Sequence, residues 1–247
     1  MHEAETFVLF GTVHSVTLAI VAAVALGVPL LARWTLPAFW QRRFGLLIGL
    51  LLIAQEGVAI WFQTSYYGRD WTQVLPLHLC GIAVVLTAWM LIMRSYRVYE
   101  VVYFWACGGT LQALLTPDLS VGFPAPAYVV FFIGHGLVVV GVLYAMLVYR
   151  FRPQLVSIAK SVAAILALVP IIAPVNLWLD TNYLFLCDKP AQASLMDYLG
   201  PWPWYILSLA GVGLVSCIFY YLPFLLADLF AGRPILAGRA GEGASVR

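Results

Sequence analysis

The stretch Pro76-Leu77-His78-Leu79-Cys80-Gly81-Ile82-Ala83-Val84-Val85 leads from a polar turn into a long apolar segment and carries a histidine and a cysteine across that boundary. Proline suits the first turn of a helix, where its missing N–H has no intrahelical acceptor to lose. Pro76 therefore reads as the opening of a helix that runs to about Met93, with Cys80 roughly one turn inside it. A helix crosses a ~30 Å hydrocarbon core with roughly 20 mostly apolar residues. Windows of that kind, separated by short polar breaks, fill nearly the whole chain.

The 247 residues are 63% hydrophobic and 10% charged, which excludes an ordinary soluble domain. The formal charge of +2 is scattered, with none of the dense basic patch a nucleic-acid binder requires. The sequence predicts an all-α polytopic membrane protein, a bundle of seven transmembrane helices near residues 11–32, 44–65, 75–93, 99–115, 127–149, 157–179 and 204–227. Residues 1–230 form a single membrane domain in this reading, and 231–247 a flexible cytoplasmic tail. Glu3 and Glu5 replace the basic region of a cleavable signal peptide, so the N-terminal segment is expected to be retained. The short fourth span predicts a tilt or a locally thin boundary. Pro170 and Pro174 predict a kink or break in the sixth.

Basic residues set the orientation. Arg33, Arg42, Arg43, Arg94, Arg97, Arg150, Arg152, Lys160, Arg233, Arg239 and Arg247 fall on one side, against Arg69 and Lys189 on the other. The positive-inside rule then places the N-terminus outside and the C-terminus in the cytoplasm.

A depth for each polar residue follows from the ~1.5 Å rise per residue. His14, Gln63, Cys80, Thr110, Gln112 and Asn176 fall within roughly two turns of the outer surface, with His78 and Asp180 at it. Glu56 and His135 reach nearly the same level, roughly 12–14 Å in. A carboxylate there costs about 2.5–3.5 kcal/mol on insertion scales and needs a partner, a proton or water. A thiol becomes a nucleophile as the thiolate, which a histidine or a helix N-terminus favours. Cys80 is thus the candidate nucleophile, His135 its general base and Glu56 the acid that orients His135. The candidate substrate-binding residues are His14, His78, Thr110, Gln112, Asn176, Asp180, Asn182 and Tyr183. A Cys–His pair reached from lipid suits acyl transfer or acyl hydrolysis through a thioester, with membrane phospholipids as partners. No cofactor is implied, and no two ligands stand at a metal-binding spacing on one helix.

Other readings fit the same residues. The four cysteines form neither a CxxC pair nor a disulfide framework. Cys107 and Cys217 read best as packing residues. Cys80 and Cys187 share the oxidising side and are candidates for a disulfide. Gly134 and Gly136 equally serve close helix packing. Asn176, Asp180, Asn182 and Tyr183 equally cap a helix and order the following loop. A small-molecule transporter or ligand-binding sensor, with Glu56 and His135 as a proton relay, is the competing function, and an assembly protein without chemistry a third.

Pro76-Leu77-His78-Leu79-Cys80, Gly109-Thr110-Leu111-Gln112-Ala113-Leu114-Leu115-Thr116-Pro117-Asp118, Gly134-His135-Gly136 and Asn176-Leu177-Trp178-Leu179-Asp180-Thr181-Asn182-Tyr183-Leu184 together resemble the YwaF family of bacterial integral membrane proteins. The likeness extends from about Phe10 to Pro223. That family is similar in turn to the eukaryotic transmembrane protein 164 family of acyltransferases, which make polyunsaturated ether phospholipids with a cysteine and a histidine. The resemblance implies Cys80 and His135 for those two positions.

Overall fold

A computed structural model describes residues 6–189 and 195–232. Glu3, Glu5 and the tail arginines Arg233, Arg239 and Arg247 lie outside the described residues. Apart from one antiparallel bridge between Thr6 and Val121, the described secondary structure is helical. The helices are α1 (Thr12–Thr35), α2 (Ala38–Ser65), α3 (Leu79–Met93), α4 (Tyr96–Trp105), α5 (Leu111–Leu115), α6 (Pro126–Leu147), α7 (Leu155–Leu179) and α8 (Trp204–Phe230). A π-helical turn, Ala106–Thr110, joins α4 to α5 without a break. Five helices, α1, α2, α6, α7 and α8, are long and apolar enough to cross a membrane, and the chain is a multi-pass membrane protein.

Helix starts depart from the sequence reading where a turn competes with the helix. α3 begins at Leu79 with His78 as its N-cap, not at Pro76. Leu77 N–H instead closes a tight turn on the Leu75 carbonyl at 2.7 Å. The Pro76 turn folds against Gly81 so closely that a Cβ there would sit 2.7 Å from the Pro76 Cα. Cys80 is therefore the second residue of its helix instead of a turn inside. α2 starts at Ala38, directly after Pro37, and not near residue 44, so Arg42 and Arg43 lie within the helix. Arg43 packs its guanidinium 4.2 Å from the Phe39 ring centroid, one helical turn back. α4 gains a turn before the expected start because the Ser95 side chain caps it, accepting from Val98 N–H. α7 stays one helix through Pro170 and Pro174 and is not broken there; each proline removes only one main-chain donor, which a membrane helix tolerates.

α3 and α6 form the centre of the bundle. α3 packs against α2, α4 and α6, and α6 against α1, α2 and α3, while α7 lies on α4 and α8 is peripheral. Leu52, Ala88, Met90, Leu91, Tyr99, Val102, Val138, Tyr144 and Ala145 fill the shared core. One charged group is buried beneath it. The Glu100 carboxylate, 2% exposed, accepts from Lys160 Nζ at 2.7 and 2.6 Å and from Ser157 Oγ at 2.7 Å. Lys160 is thus a partner of Glu100, not a free member of the basic fringe.

Candidate functional site

α2, α3, the π turn and α6 enclose a cavity of about 510 Å³. Gln55 and Glu56 line it from α2, Cys80 and Gly81 from the first turn of α3, Thr110 from the π turn, and Gly134 and His135 from α6. Tyr67, Arg69, Asp118 and Ser120 contribute from the neighbouring loops. The volume lies within the ~300–1,000 Å³ usual for small-molecule sites. The third and fifth apolar segments of the sequence are neighbours, and the half-buried Cys80 and His135 line the same cavity from them.

His135 is oriented by its own helix. Its Nδ1 lies 2.9 Å from the Phe131 carbonyl oxygen, and the Phe131 ring stacks on the imidazole at 4.0 Å between centroids. A carbonyl oxygen only accepts, so Nδ1 carries the proton and Nε2 is left as the acceptor. The Phe131 carbonyl thus occupies the nitrogen that Glu56 would need for the orienting role expected of it. Glu56 lines the same cavity as Cys80 and has no hydrogen-bond or ion-pair partner among the described residues. Gln55 donates from Nε2 to the Val130 carbonyl at 3.0 Å and leaves Oε1 without a partner. A Cβ on Gly134 would lie 2.7 Å from that amide, so the glycine lets Gln55 reach α6. The intramembrane amide at position 55 was the readable signal for this wall; the Phe131 carbonyl had none, because every residue carries one.

Of the expected binding residues, Thr110 alone lines the cavity. His14, 1% exposed, accepts from Phe10 N–H at Nδ1 and donates from Nε2 to the Leu114 carbonyl, both at 3.0 Å, so it ties α1 to α5. His78 packs edge-on to Tyr183 and against Phe185, at 5.1 and 5.2 Å between centroids. Asn176 donates to the Tyr183 carbonyl and accepts from Tyr183 N–H and Thr181 Oγ1. Asp180 ends α7 in the left-handed conformation at φ 51°. Asn182 accepts from Cys187 N–H at 3.0 Å, and Gln112 donates to Thr116 Oγ1 at 3.0 Å. These contacts order the chain around the cavity and do not enter it.

The approach to Cys80 is held from two directions. Tyr183 donates its hydroxyl to the Thr72 carbonyl and accepts from Leu75 N–H at 3.1 Å. Asp70 accepts from the N–H and Oγ1 of Thr72, both at 2.8 Å. Those two bonds hold the Asp70 carboxyl below the usual carboxylate range. All four cysteines are free thiols, so Cys80 and Cys187 form no disulfide, and Cys107, Cys187 and Cys217 lie off the cavity.

An uncharacterized protein from Treponema pallidum (strain Nichols) is 28% identical to the chain over 229 residues, covering 88% of this chain and 90% of its own length. No solved structure matches the chain. The profile of the TMEM164 family matches residues 9–221, a span that takes in Glu56, Cys80, Thr110 and His135 and reaches from the start of α1 into α8: the chain belongs to the TMEM164 family.

Proposed function

We propose that this protein is a membrane-embedded phospholipid acyltransferase or acyl hydrolase that works through a thioester on Cys80 with His135 as general base. The observation that carries the reading is the single cavity shared by Cys80 and by an imidazole whose Nε2 is left as the acceptor. As the Cys80 sulfur bonds to the ester carbonyl carbon, the carbonyl π electrons move to oxygen and His135 Nε2 takes the thiol proton. Collapse restores the carbonyl and breaks the acyl C–O bond. The departing alkoxide regains the proton from His135, leaving a thioester and a lysophospholipid. An acceptor hydroxyl or water then gives its proton to His135, attacks the thioester carbon and releases Cys80 as the thiol. Glu56, facing the same cavity, favours the imidazolium formed in each half-reaction.

The bundle spans the membrane seven times in this reading, with α3 and the α4–π–α5 run as the two additional crossings. The N-terminus and the cavity then face outward in the cell membrane and the basic fringe faces the cytoplasm. The unpartnered Glu56 is the observation that favours the competing transporter or ligand-binding sensor.

The test is competitive labelling in lipid nanodiscs with a thiol-reactive acyl probe, read by mass spectrometry at all four cysteines. Selective acylation of Cys80 that depends on His135 supports the thioester. Reaction of Cys80 no faster than Cys107 and Cys217 removes the nucleophile. Transport or binding lost in Glu56→Gln but retained in Cys80→Ser would then identify the competing function.

A further inference from the structure

Thr110 has a helical turn before it, yet its hydroxyl does not bond back along the helix. Thr17, Thr35, Thr64, Thr87 and Thr116 donate to the carbonyl four residues earlier, at 2.9, 2.7, 3.0, 2.6 and 3.1 Å. That local bond is the default for a hydroxyl in an apolar helix. Thr110 closes the π turn, where Leu111 N–H reaches back to the Ala106 carbonyl. Its residue is 1% exposed and its Oγ1 has no partner. A buried hydroxyl without a hydrogen bond is unfavourable, and π turns of this kind concentrate at functional sites.

The π turn sits where that hydroxyl is useful. It packs against both α3 and α6. A Cβ on Gly109 would lie 3.6 Å from the Leu79 side chain, so the turn abuts the residue preceding Cys80. Thr110 lines the cavity with Cys80, Gly81 and His135. At the same point the first intrahelical bond of α3 is Ile82 N–H to the His78 carbonyl at 3.0 Å, and the His78 side chain caps nothing. The N–H groups of Cys80 and Gly81 therefore have no acceptor within the helix.

We propose that Thr110 is a further catalytic residue, whose hydroxyl donates, with the free N–H groups of Cys80 and Gly81, to the acyl carbonyl oxygen as it gains charge. The assignment rests on the thioester reading above. The hydroxyl keeps its proton throughout; it stabilises the alkoxide formed when the Cys80 sulfur adds to the carbonyl carbon, and the bond weakens when the carbonyl re-forms.

The experiment compares two reactions of Cys80 in the full-length protein in nanodiscs: acylation by an activated short-chain ester, which passes through an oxyanion, and alkylation by iodoacetamide, which does not. Thr110→Val is expected to slow acylation about 100-fold while alkylation stays at the wild-type rate. Thr110→Ser, which restores a hydroxyl, is expected to recover most of the acylation. An unchanged acylation rate in Thr110→Val overturns the assignment. So does an equal loss of acylation and alkylation, which marks a packing role, with the thioester reading intact. Absence of Cys80 acylation in the wild-type protein overturns the thioester reading itself, and the assignment with it.

Discussion

His135 Nδ1–H donates to the carbonyl oxygen of Phe131, one helical turn earlier, at 2.9 Å. α6 thus fixes the tautomer of its own histidine, and no second helix has to supply a carboxylate for that purpose. An asparagine at position 135 keeps a donor near Nδ1 and lacks the basic Nε2. His135→Asn is expected to unfold at the wild-type temperature and to acylate Cys80 at least about 100-fold more slowly. Thermal unfolding and single-turnover acylation check the two halves separately.

Gly81 leaves no room for a side chain. Its Cβ would meet Pro76 backbone at 2.7 Å, and backbone cannot swing aside as a long side chain does. Gly81→Ala is expected to cost about 1–3 kcal/mol and to displace Cys80, lowering acylation. A variant with wild-type stability and rate would show that the Pro76 turn does not position the thiol.

Tyr183 reaches from the loop after α7 to the loop before α3 through Thr72 and Leu75. Tyr183→Phe leaves the Leu75 N–H without its acceptor, at about 1–3 kcal/mol. Hydrogen exchange over residues 72–78 should accelerate, with the exchange of α1 and α2 unchanged.

Asp70 gives that loop a pH dependence whose sign follows from its lowered carboxyl. A group depressed in the folded state contributes stability that is fully present above its unfolded value, about 3.9, and is lost as pH falls through the folded value. Exchange at Thr72 N–H, corrected for the intrinsic rate, should stay flat from neutral pH to about pH 4 and quicken below it. In Asp70→Ala the fast exchange should be present at every pH.

Lys160 offsets a carboxylate that is 2% exposed, while its own side chain remains 48% exposed. Breaking a buried pair by removing one partner costs about 3–5 kcal/mol, and solvent at Lys160 places this pair toward the lower end. Lys160→Met should lower the unfolding temperature sharply, and adding Glu100→Gln should recover most of the loss.

The sequence by itself determined the class of protein and singled out the polar residues that its apolar helices carry. Hydropathy windows establish helices within apolar surroundings because each backbone bond must close inside its own segment there. Depth along a helix then picked Cys80, Glu56 and His135 as residues that need an explanation, and Thr110 and Gln112 as polar groups near them. Local signals erred where two local structures compete: Pro76 begins a turn as readily as a helix, and Asn176 and Tyr183 order a loop as readily as they bind a ligand.

Only the tertiary structure decided which of those groups meet. The adjacency of α3 and α6, which brings Cys80 and His135 to one cavity, depends on close contacts between segments distant in sequence, and no periodicity within either segment encodes its partner. Helix geometry alone pairs the Phe131 carbonyl with His135, whereas long-range contacts decided the surroundings of Lys160, which Glu100 claims, and of Thr110. Its hydroxyl reads in sequence like that of any helical threonine; in the π turn, packed against α3 and α6, that buried hydroxyl is left unbonded on a residue that lines the cavity.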